Sequence, residues 1–234
     1  MKLLMVLMAS AFFVFALSAC GGGGGGDDAV VVPPPSTESF ALTQAIDNYI
    51  NETSSALFSI SGSAAGEPVT GSGILSIGSV SSGIFEGVSA LVKTSTVTGS
   101  ISVAGQSEPY AGTLLTYFDS NYVYLGEELV GDYYSVATMV NSIPDFVKIG
   151  DTGVWYLSNN YSDISKTFLL TTSTVSYVVE PDTASTAILK IINTESDGYF
   201  EVVSFRMTVN GSLTRISESG TDPAEQISLV VTYQ

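Results

Sequence analysis

Side chains that could carry catalytic or metal chemistry are scarce in this sequence. The chain has 234 residues, no histidine and a single cysteine, Cys20. Without histidine, neither a Ser-His-Asp triad nor a Cys-His nucleophile can form, and zinc, copper and haem sites lose their commonest ligands. No lysine follows a serine by three positions, as a Ser-Lys nucleophile requires, and no glycine-rich stretch has the spacing of a phosphate loop.

Carboxylates are the remaining candidates for catalysis, because a glycosidase needs only two of them. Two groups in the middle of the chain qualify: Glu127, Glu128 and Asp132, and Asp145, Asp151 and Asp163. Their spacing selects no pair, and charged side chains are mostly exposed in folded proteins, so we interpret them as solvated turn residues. A carboxylate-based hydrolase is the third hypothesis, behind two non-enzymatic ones. The Asp-x-Asp-x-Asp-Gly loop of a calcium site is also absent, and we predict no metal and no cofactor.

Aromatic side chains crowd the middle of the chain. They are Tyr117, Phe118, Tyr122, Tyr124, Tyr133, Tyr134, Phe146, Trp155, Tyr156 and Tyr161. Rings with a polar tip suit a ligand groove that is apolar inside and wet at its mouth, but they suit a β-sheet core equally well. Both interpretations stay open. If the rings line a cavity, we expect Tyr122, Tyr124, Trp155 and Leu157 to be the ligand-binding residues.

The first 19 residues have the layout of a secretory signal. Lys2 precedes an uncharged apolar stretch at residues 3–15, and the small residues Ser18 and Ala19 lead directly into Cys20. This stretch is shorter than the ~20 residues that a membrane-spanning helix needs, and a run of glycines follows it. A plain secretory signal, cleaved without lipid attachment, is the alternative.

The run Leu17-Ser18-Ala19-Cys20 resembles the lipobox of bacterial lipoproteins. The resemblance implies that a dedicated peptidase cuts before Cys20, that the Cys20 thiol carries a diacylglyceryl group, and that the new amino group is acylated. Such an attachment would be effectively permanent, because one acyl chain holds weakly whereas two or more hold firmly. In well-studied Gram-negative bacteria, Asp after the cysteine retains a lipoprotein in the inner membrane. Gly21 stands there instead, so the resemblance implies the outer membrane.

Residues 20–38 form a predicted linker between this anchor and the folded part. Glycines at 21–26 make a flexible tether, and the three prolines at 33–35 favour a stiff polyproline II segment. Residues 39–234 are long enough for a single β-rich globular domain with a sizeable core.

The charge of the chain limits its partners. Seven basic residues against 23 acidic ones give a net charge of −16, which argues against binding nucleic acid and against lying on an anionic bilayer. The expected partners are therefore the membrane, through the N-terminal lipid, and an envelope protein, a glycan or a lipid ligand.

One helix is predicted, over residues 40–53. Leu42, Ile46, Tyr49 and Ile50 recur at helical spacing and make one apolar stripe. Ser and Thr residues at 36, 37 and 39 could cap its start. The stripe indicates a helix packed against a sheet.

From residue 56 onward the chain is predicted to form strands. Apolar and polar residues alternate along several segments, as in 203–209, which is typical of sheets with one buried face. Asn210-Gly211 between two such segments is a strong hairpin signal. Ten to twelve strands with short connections indicate a mainly β fold, an antiparallel meander forming a sandwich or a curved half-barrel.

This combination of one helix, a long antiparallel meander and a lipid anchor is similar in outline to bacterial half-barrel lipoprotein carriers, which hold acyl chains between a curved sheet and a helix. The similarity is architectural, and no residue role is transferred from it. Two hypotheses follow. The first is a lipid-anchored cell-envelope protein with a non-enzymatic structural or protein- or glycan-interaction role. The alternative is a module that binds or carries an apolar ligand such as a lipid.

Overall fold

The structure, a computed structural model, describes residues 36–234. The predicted signal segment, Cys20 and most of the linker lie outside the described residues, so the predictions on them stay predictions.

Fourteen strands and one α-helix make up the described part of the chain. The N-terminal elements are β1 (Phe40–Ala41), α1 (Leu42–Asn51), β2 (Ser54–Ala64), β3 (Glu67–Phe85), β4 (Val88–Val103) and β5 (Gln106–Phe118). The central elements are β6 (Tyr124–Leu129), β7 (Tyr133–Val140), β8 (Phe146–Val147), β9 (Thr152–Tyr161) and β10 (Leu169–Pro181). The C-terminal elements are β11 (Thr186–Glu195), β12 (Phe200–Thr208), β13 (Leu213–Asp222) and β14 (Ile227–Tyr233).

Twelve of these strands form one closed antiparallel barrel. Its order is β10-β11-β12-β13-β14-β2-β3-β4-β5-β6-β7-β9, with β9 pairing back onto β10. The predicted mainly β antiparallel meander is confirmed, and the turn at Asn210-Gly211 joins β12 to β13 as expected. The sheet curves further than a half-barrel and closes completely, because β14 returns to β2 with Tyr233 opposite Phe58. Closure pairs the backbone groups that an edge strand would leave open.

The helix α1 is two residues shorter at each end than predicted and begins differently. No side chain caps its first turn. Instead the Leu42 amide donates to the carbonyl oxygen of Asp145 at 2.9 Å, beside the small sheet in which Phe40 pairs with Val147. The chain before β8 therefore takes the place of the predicted Ser and Thr caps.

No helix among residues 36–234 is long and apolar enough to span a membrane.

Two apolar clusters fill the two ends of the barrel. The helix cluster contains the buried face of α1 together with side chains of β5, β6 and β9–β12, among them Phe118, Leu189 and Met207. The far cluster is built from β2–β6 and β14, and includes Phe58 and Leu229. The predicted stripe of α1 faces inward, since Leu42, Ile46 and Ile50 are buried against the wall.

Candidate ligand-binding site

A cavity of about 90 Å3 lies between α1 and the barrel wall. Most of the side chains that line it are aromatic or aliphatic, and they come from α1 and from seven strands. The lining residues are Ile46, Tyr49, Ile50, Lys93, Thr116, Phe118, Tyr124, Glu127, Trp155, Tyr156, Leu189, Ile191, Phe205, Leu213 and Arg215. The cavity is thus an apolar chamber with a few polar groups at its edge, which is the usual composition of a small-molecule site.

A β-bulge brings two adjacent rings into this cavity. Along β9, Tyr156 pairs with Val175 of β10 and Val154 pairs with Ser176, so Trp155 has no opposite partner on β10. An extra residue of this kind breaks the in–out alternation of a strand. Trp155 and Tyr156 consequently both line the cavity, although they are consecutive in sequence.

The four predicted ligand-binding residues divide into two pairs. Tyr124 and Trp155 line the cavity, and the Tyr124 ring is stacked on Tyr156 with ring centroids 4.0 Å apart. Tyr122 does not line it and instead donates a hydrogen bond to Asn51 Oδ1 at 3.1 Å, at the end of α1. Leu157 lies between the buried Tyr156 and Ser158 on β9 and also does not line the cavity.

A second cavity, of about 350 Å3, adjoins the first at the C-terminal end of α1. Tyr49, Leu213 and Arg215 line both cavities. The second cavity is more polar, since Glu52, Ser54, Arg206, Thr214 and Gln234 also line it. The apolar cavity under α1 and this more polar cavity therefore lie side by side at Tyr49, Leu213 and Arg215.

A row of polar side chains crosses the barrel interior between the two apolar clusters. Its members lie on successive strands, and cross-strand pairing places each one beside the next: Lys93 with Thr116, Thr116 with Glu127, Glu127 with Ser135, Ser135 with Asn160, and Asn160 with Thr171. Further along the wall, Ser173 pairs with Glu195 and Asn193 pairs with Glu201. We call this row the polar belt. Along β5, for example, Leu114 belongs to the far cluster, Thr116 to the belt and Phe118 to the helix cluster.

Hydrogen bonds between side chains hold much of the belt together. Asn160 Nδ2 donates to Thr171 Oγ1 at 3.0 Å and to Ser173 Oγ at 2.6 Å. Glu201 accepts from the Tyr199 hydroxyl at 3.0 Å and from Asn193 Nδ2 at 3.2 Å. Buried polar groups that satisfy one another in this way make a rigid wall.

Two belt residues that border the first cavity have altered acid–base properties. Burial raises the pKa of Glu127 to about 7, although the hydrogen bond that it accepts from the Tyr133 hydroxyl opposes the shift. Burial lowers the pKa of Lys93. Lys93 Nζ donates to the carbonyl oxygens of Ile50 and Glu52, so this cation holds the end of α1. Thr116 Oγ1, between them, is buried and has no hydrogen-bond partner among residues 36–234.

An ion pair lies at the junction of the two cavities. Arg215 Nη1 donates to Glu218 Oε2 at 3.2 Å, and the Glu218 side chain is fully buried. Arg215 Nη2 donates to the Tyr49 hydroxyl of α1 at 3.0 Å. Burial raises the pKa of Glu218 to about 8, even though Arg215 acts in the opposite direction.

The other acids considered for catalysis lie outside the barrel interior and serve local structure. Glu128 accepts a hydrogen bond from the Tyr117 hydroxyl at 3.4 Å, and Asp145 accepts one from Thr43 at 3.4 Å. Asp151 Oδ2 and Asp163 Oδ1 each accept a backbone amide at 2.8 Å within their own turns, and Asp132 lies in the turn between β6 and β7. Of these six candidates, Glu127 is the one in the belt. Among the described residues, no group of three or more potential metal ligands is assembled.

Sequence reasoning missed Glu195, Glu201, Arg215 and Glu218 as interior residues. A signal for Glu201 existed, because the inward-facing alternation of Val203, Phe205 and Met207 places Glu201 on the same face when it is extended by one step. For Arg215 and Glu218 the signal is weak, because β13 has little apolar alternation of its own.

The comparisons with known proteins add little to this site. No family model and no curated protein matches the sequence. Among solved structures, the chain is similar to a protein from Bacteroides fragilis described as exported and as having a YmcC-like fold. The identity is 10% and the TM-score 0.34, with 76% of this chain and 92% of that chain covered. A likeness of this size carries no argument about the function of this chain.

Proposed function

We propose that this chain is a lipid-anchored protein of the bacterial cell envelope, and that its barrel binds an apolar ligand between α1 and the wall without catalysing a reaction. The observation that carries the ligand is the cavity under α1, walled by aromatic and aliphatic side chains of α1 and the barrel. The observation that carries the anchor is the Leu17-Ser18-Ala19-Cys20 run.

The size of the cavities supports a ligand. Protein interiors are packed at the density of organic crystals and leave few voids larger than a water molecule. The second cavity has about 350 Å3 and a more polar lining, and the apolar first cavity beside it has about 90 Å3. Ligand sites typically begin near ~300 Å3.

Location in the envelope follows from the anchor. The resemblance of Cys20 to a lipidated cysteine supports export and attachment to a membrane, and Gly21 supports the outer membrane. The linker at residues 20–38 would hold the barrel within a few nanometres of the lipid surface, at about 3 Å per residue where it is stiff.

The test uses the single tryptophan of the chain, because Trp155 lines the cavity. The mature chain from residue 20, expressed in the cytoplasm without acylation so that no detergent is needed, is titrated with 8-bromo-1-octanol. A bromine atom quenches a tryptophan that it contacts. Saturable quenching of Trp155 is the expected result, and quenching that rises linearly without saturating would contradict ligand binding.

A pair of variants on one strand sharpens this test. Ile191 of β11 lines the cavity, whereas Ile192 next to it does not. Ile191→Phe adds bulk inside the cavity and should weaken the binding of 8-bromo-1-octanol about ten-fold or more. Ile192→Phe makes the same change on the outer face and should leave binding unchanged.

A protein- or glycan-interaction role is the second candidate. It is favoured by apolar side chains exposed on two neighbouring segments: Ile84 near the end of β3, with 73% of its surface exposed, and Phe168 before β10, with 70% exposed. An ion pair between Glu86 and Lys166 joins these segments. If 8-bromo-1-octanol does not bind, this role becomes the leading hypothesis.

A further inference from the structure

The strand order of the barrel is closed, but β14 is shorter than its two neighbours and leaves a gap at the rim of the wall. β14 ends at Tyr233, and just beyond it the Gln234 amide donates to the carbonyl oxygen of Leu57 at 3.0 Å. In the part of the chain that the structure describes, no strand lies between residues 54–56 of β2 and residues 213–214 of β13. Adjacent strands lie ~4.8 Å apart, so two strands that flank a third are ~10 Å apart. The gap therefore has the width of one strand.

The cavity of about 350 Å3 lies in this gap and passes through the wall. Leu75 and Ile77 line it, and both belong to the far cluster inside the barrel. Arg206 and Thr214 also line it. These two residues are opposite each other on β12 and β13, and the Arg206 side chain is 51% exposed on the outer face. Because side chains of both faces border one cavity, the gap is not filled by the side chains around it.

The backbones of β2 and β13 offer hydrogen-bonding groups to the gap. The carbonyl oxygen of Leu57 faces β14, and alternate residues of a strand face the same side, so the N–H and C=O of Ser55 point into the gap. On β13, the carbonyl oxygen of Ser212 accepts from the Thr208 amide of β12 at 3.1 Å. The N–H and C=O of Leu213 therefore point away from β12, into the gap. Among residues 36–234, neither Ser55 nor Leu213 has a partner on this side.

We propose that an extended segment of another polypeptide binds in this gap as an added β-strand, with its backbone hydrogen-bonded to Ser55 on one side and to Leu213 on the other. A strand is the occupant that fits, because its N–H and C=O groups point to both sides at the spacing of a sheet. Unpaired strand edges bind extended peptides in this way.

The lining of the gap also limits the sequence of the added strand. Side chains of a strand alternate between the two faces, so every second residue of the partner would point inward, toward Leu75 and Ile77. An apolar β-branched residue suits that position. The inference goes beyond the proposed function, because this site lies in the wall, whereas the apolar ligand lies under α1.

The test uses a peptide of this pattern, acetyl-Thr-Val-Thr-Val-Thr-amide. The isotope-labelled mature chain from residue 20 is titrated with it, and the chemical shifts of the backbone amides are followed by NMR. We expect saturable shifts at Ser55 and Leu213 with a dissociation constant of about 1 mM, the affinity that a few backbone hydrogen bonds supply. The same peptide N-methylated on both valines lacks those two donors and should bind at least about five-fold more weakly.

Two substitutions at one position show whether the backbone of β2 binds the peptide. Ser55→Pro removes the amide that points into the gap, and proline is tolerated where a strand amide faces away from its paired neighbour. This variant should bind the peptide at least about five-fold more weakly than the unaltered chain. Ser55→Ala keeps the amide and should bind the peptide like the unaltered chain. The N-methylated peptide tests the same hydrogen bonds on the unaltered chain, without any substitution in the barrel.

Three results would each overturn the inference. The first is the absence of saturable shifts up to about 10 mM peptide. The second is a set of shifts that leaves out Ser55 and Leu213. The third is equal binding of the N-methylated peptide, which would mean that the backbone groups are not used. The proposed function is tested separately by quenching with 8-bromo-1-octanol, because Trp155 lines the cavity under α1 and not the one in the gap.

Discussion

Lys93 Nζ lies 2.6 Å from the carbonyl oxygen of Ile50, and the same ammonium group also donates to the carbonyl oxygen of Glu52. A strand of the barrel thus supplies the hydrogen bonds that the last turn of α1 lacks. The carbonyl groups at a helix C-terminus have no partner within the helix and carry partial negative charge, so a buried cation there satisfies both requirements. Lys93 therefore holds the end of α1, the helix that covers the cavity, and it also lines that cavity.

Replacing this lysine should loosen α1. We expect Lys93→Met to reduce the free energy of unfolding by about 1–3 kcal/mol, the cost of leaving buried carbonyl groups without a donor. Urea denaturation measures the change. Lys190→Met is the control, because Lys190 forms its ion pair with Glu180 on the outer face, where such pairs contribute about 1 kcal/mol or less. Equal losses in the two variants would contradict a special role for Lys93.

The ion pair of Arg215 with Glu218 should show strong coupling in a double-mutant cycle. At pH 9, above the pKa of about 8 that burial gives Glu218, Arg215→Met alone leaves a fully buried carboxylate and should cost about 3–5 kcal/mol of unfolding free energy. Adding Glu218→Gln should recover much of that loss, because no buried charge is then left without its partner. Denaturation of the two single variants and the double variant measures the coupling energy. Additive losses would mean that the two side chains act independently.

The stability of the barrel should fall as the pH rises from 5 to 8. Burial raises the pKa of Glu127 to about 7 and of Glu218 to about 8, whereas a glutamate in an unfolded chain ionises near ~4.3. Between these values the folded chain binds more protons than the unfolded chain, so the stabilisation is complete below the unfolded pKa and is lost as the pH passes the folded pKa. Each carboxyl group contributes a slope of at most ~1.4 kcal/mol per pH unit.

Urea denaturation at pH 5, 6, 7 and 8 measures how the free energy of unfolding changes with pH. Two matched variants show which carboxyl group causes the change. Glu127→Gln should reduce the slope, because the amide has no proton to lose, and Glu218 should account for the slope that remains. Glu128→Gln, at the next position of β6 but in contact with Tyr117 outside the barrel, should keep the slope. A free energy of unfolding that is constant or increases over this range would contradict the prediction.

Lipidation can be tested separately from ligand binding. Cys20→Ser removes the thiol that would carry the diacylglyceryl group, so metabolic labelling of the protein with palmitate should be abolished. Thr37→Ala, outside the lipobox, should be labelled like the unaltered chain. Persistent label in the Cys20→Ser variant would show that the acyl group, if any, is attached elsewhere.

The sequence predicted the elements of the fold better than their closure. Alternation in segments such as 203–209 and the turn at Asn210-Gly211 are local signals, and the hairpins that they predict are present. Closure depends on β14 meeting β2, which are separated by more than 160 residues, and no local pattern encodes that pairing. The helix start shows the same limit, because the amide of Leu42 is satisfied by Asp145 from a distant segment.

The candidate site was predicted only in part, and the reason is similar. The aromatic pattern predicted Tyr124. Strict alternation would place Trp155 and Leu157 on one face, but because of the bulge in β9 Trp155 lines the cavity and Leu157 does not. Bulges depend on the partner strand and have no signature in a single sequence here. Glu218 was missed because an acid in a strand is expected to face solvent, and only the tertiary structure places Arg215 beside it.

The pairing of β14 with β2 has a consequence for how the protein folds. Nearly every other neighbouring pair in the barrel is also consecutive along the chain, so hairpins can form early at low entropic cost. The β14–β2 contact closes a loop of almost the whole domain, and such long-range contacts are slow to form. The chamber under α1 needs strands from both halves of the circle. The binding site should therefore be completed only in the last step of folding. A chain that does not complete this step leaves the edges of β14 and β2 unpaired and prone to aggregate.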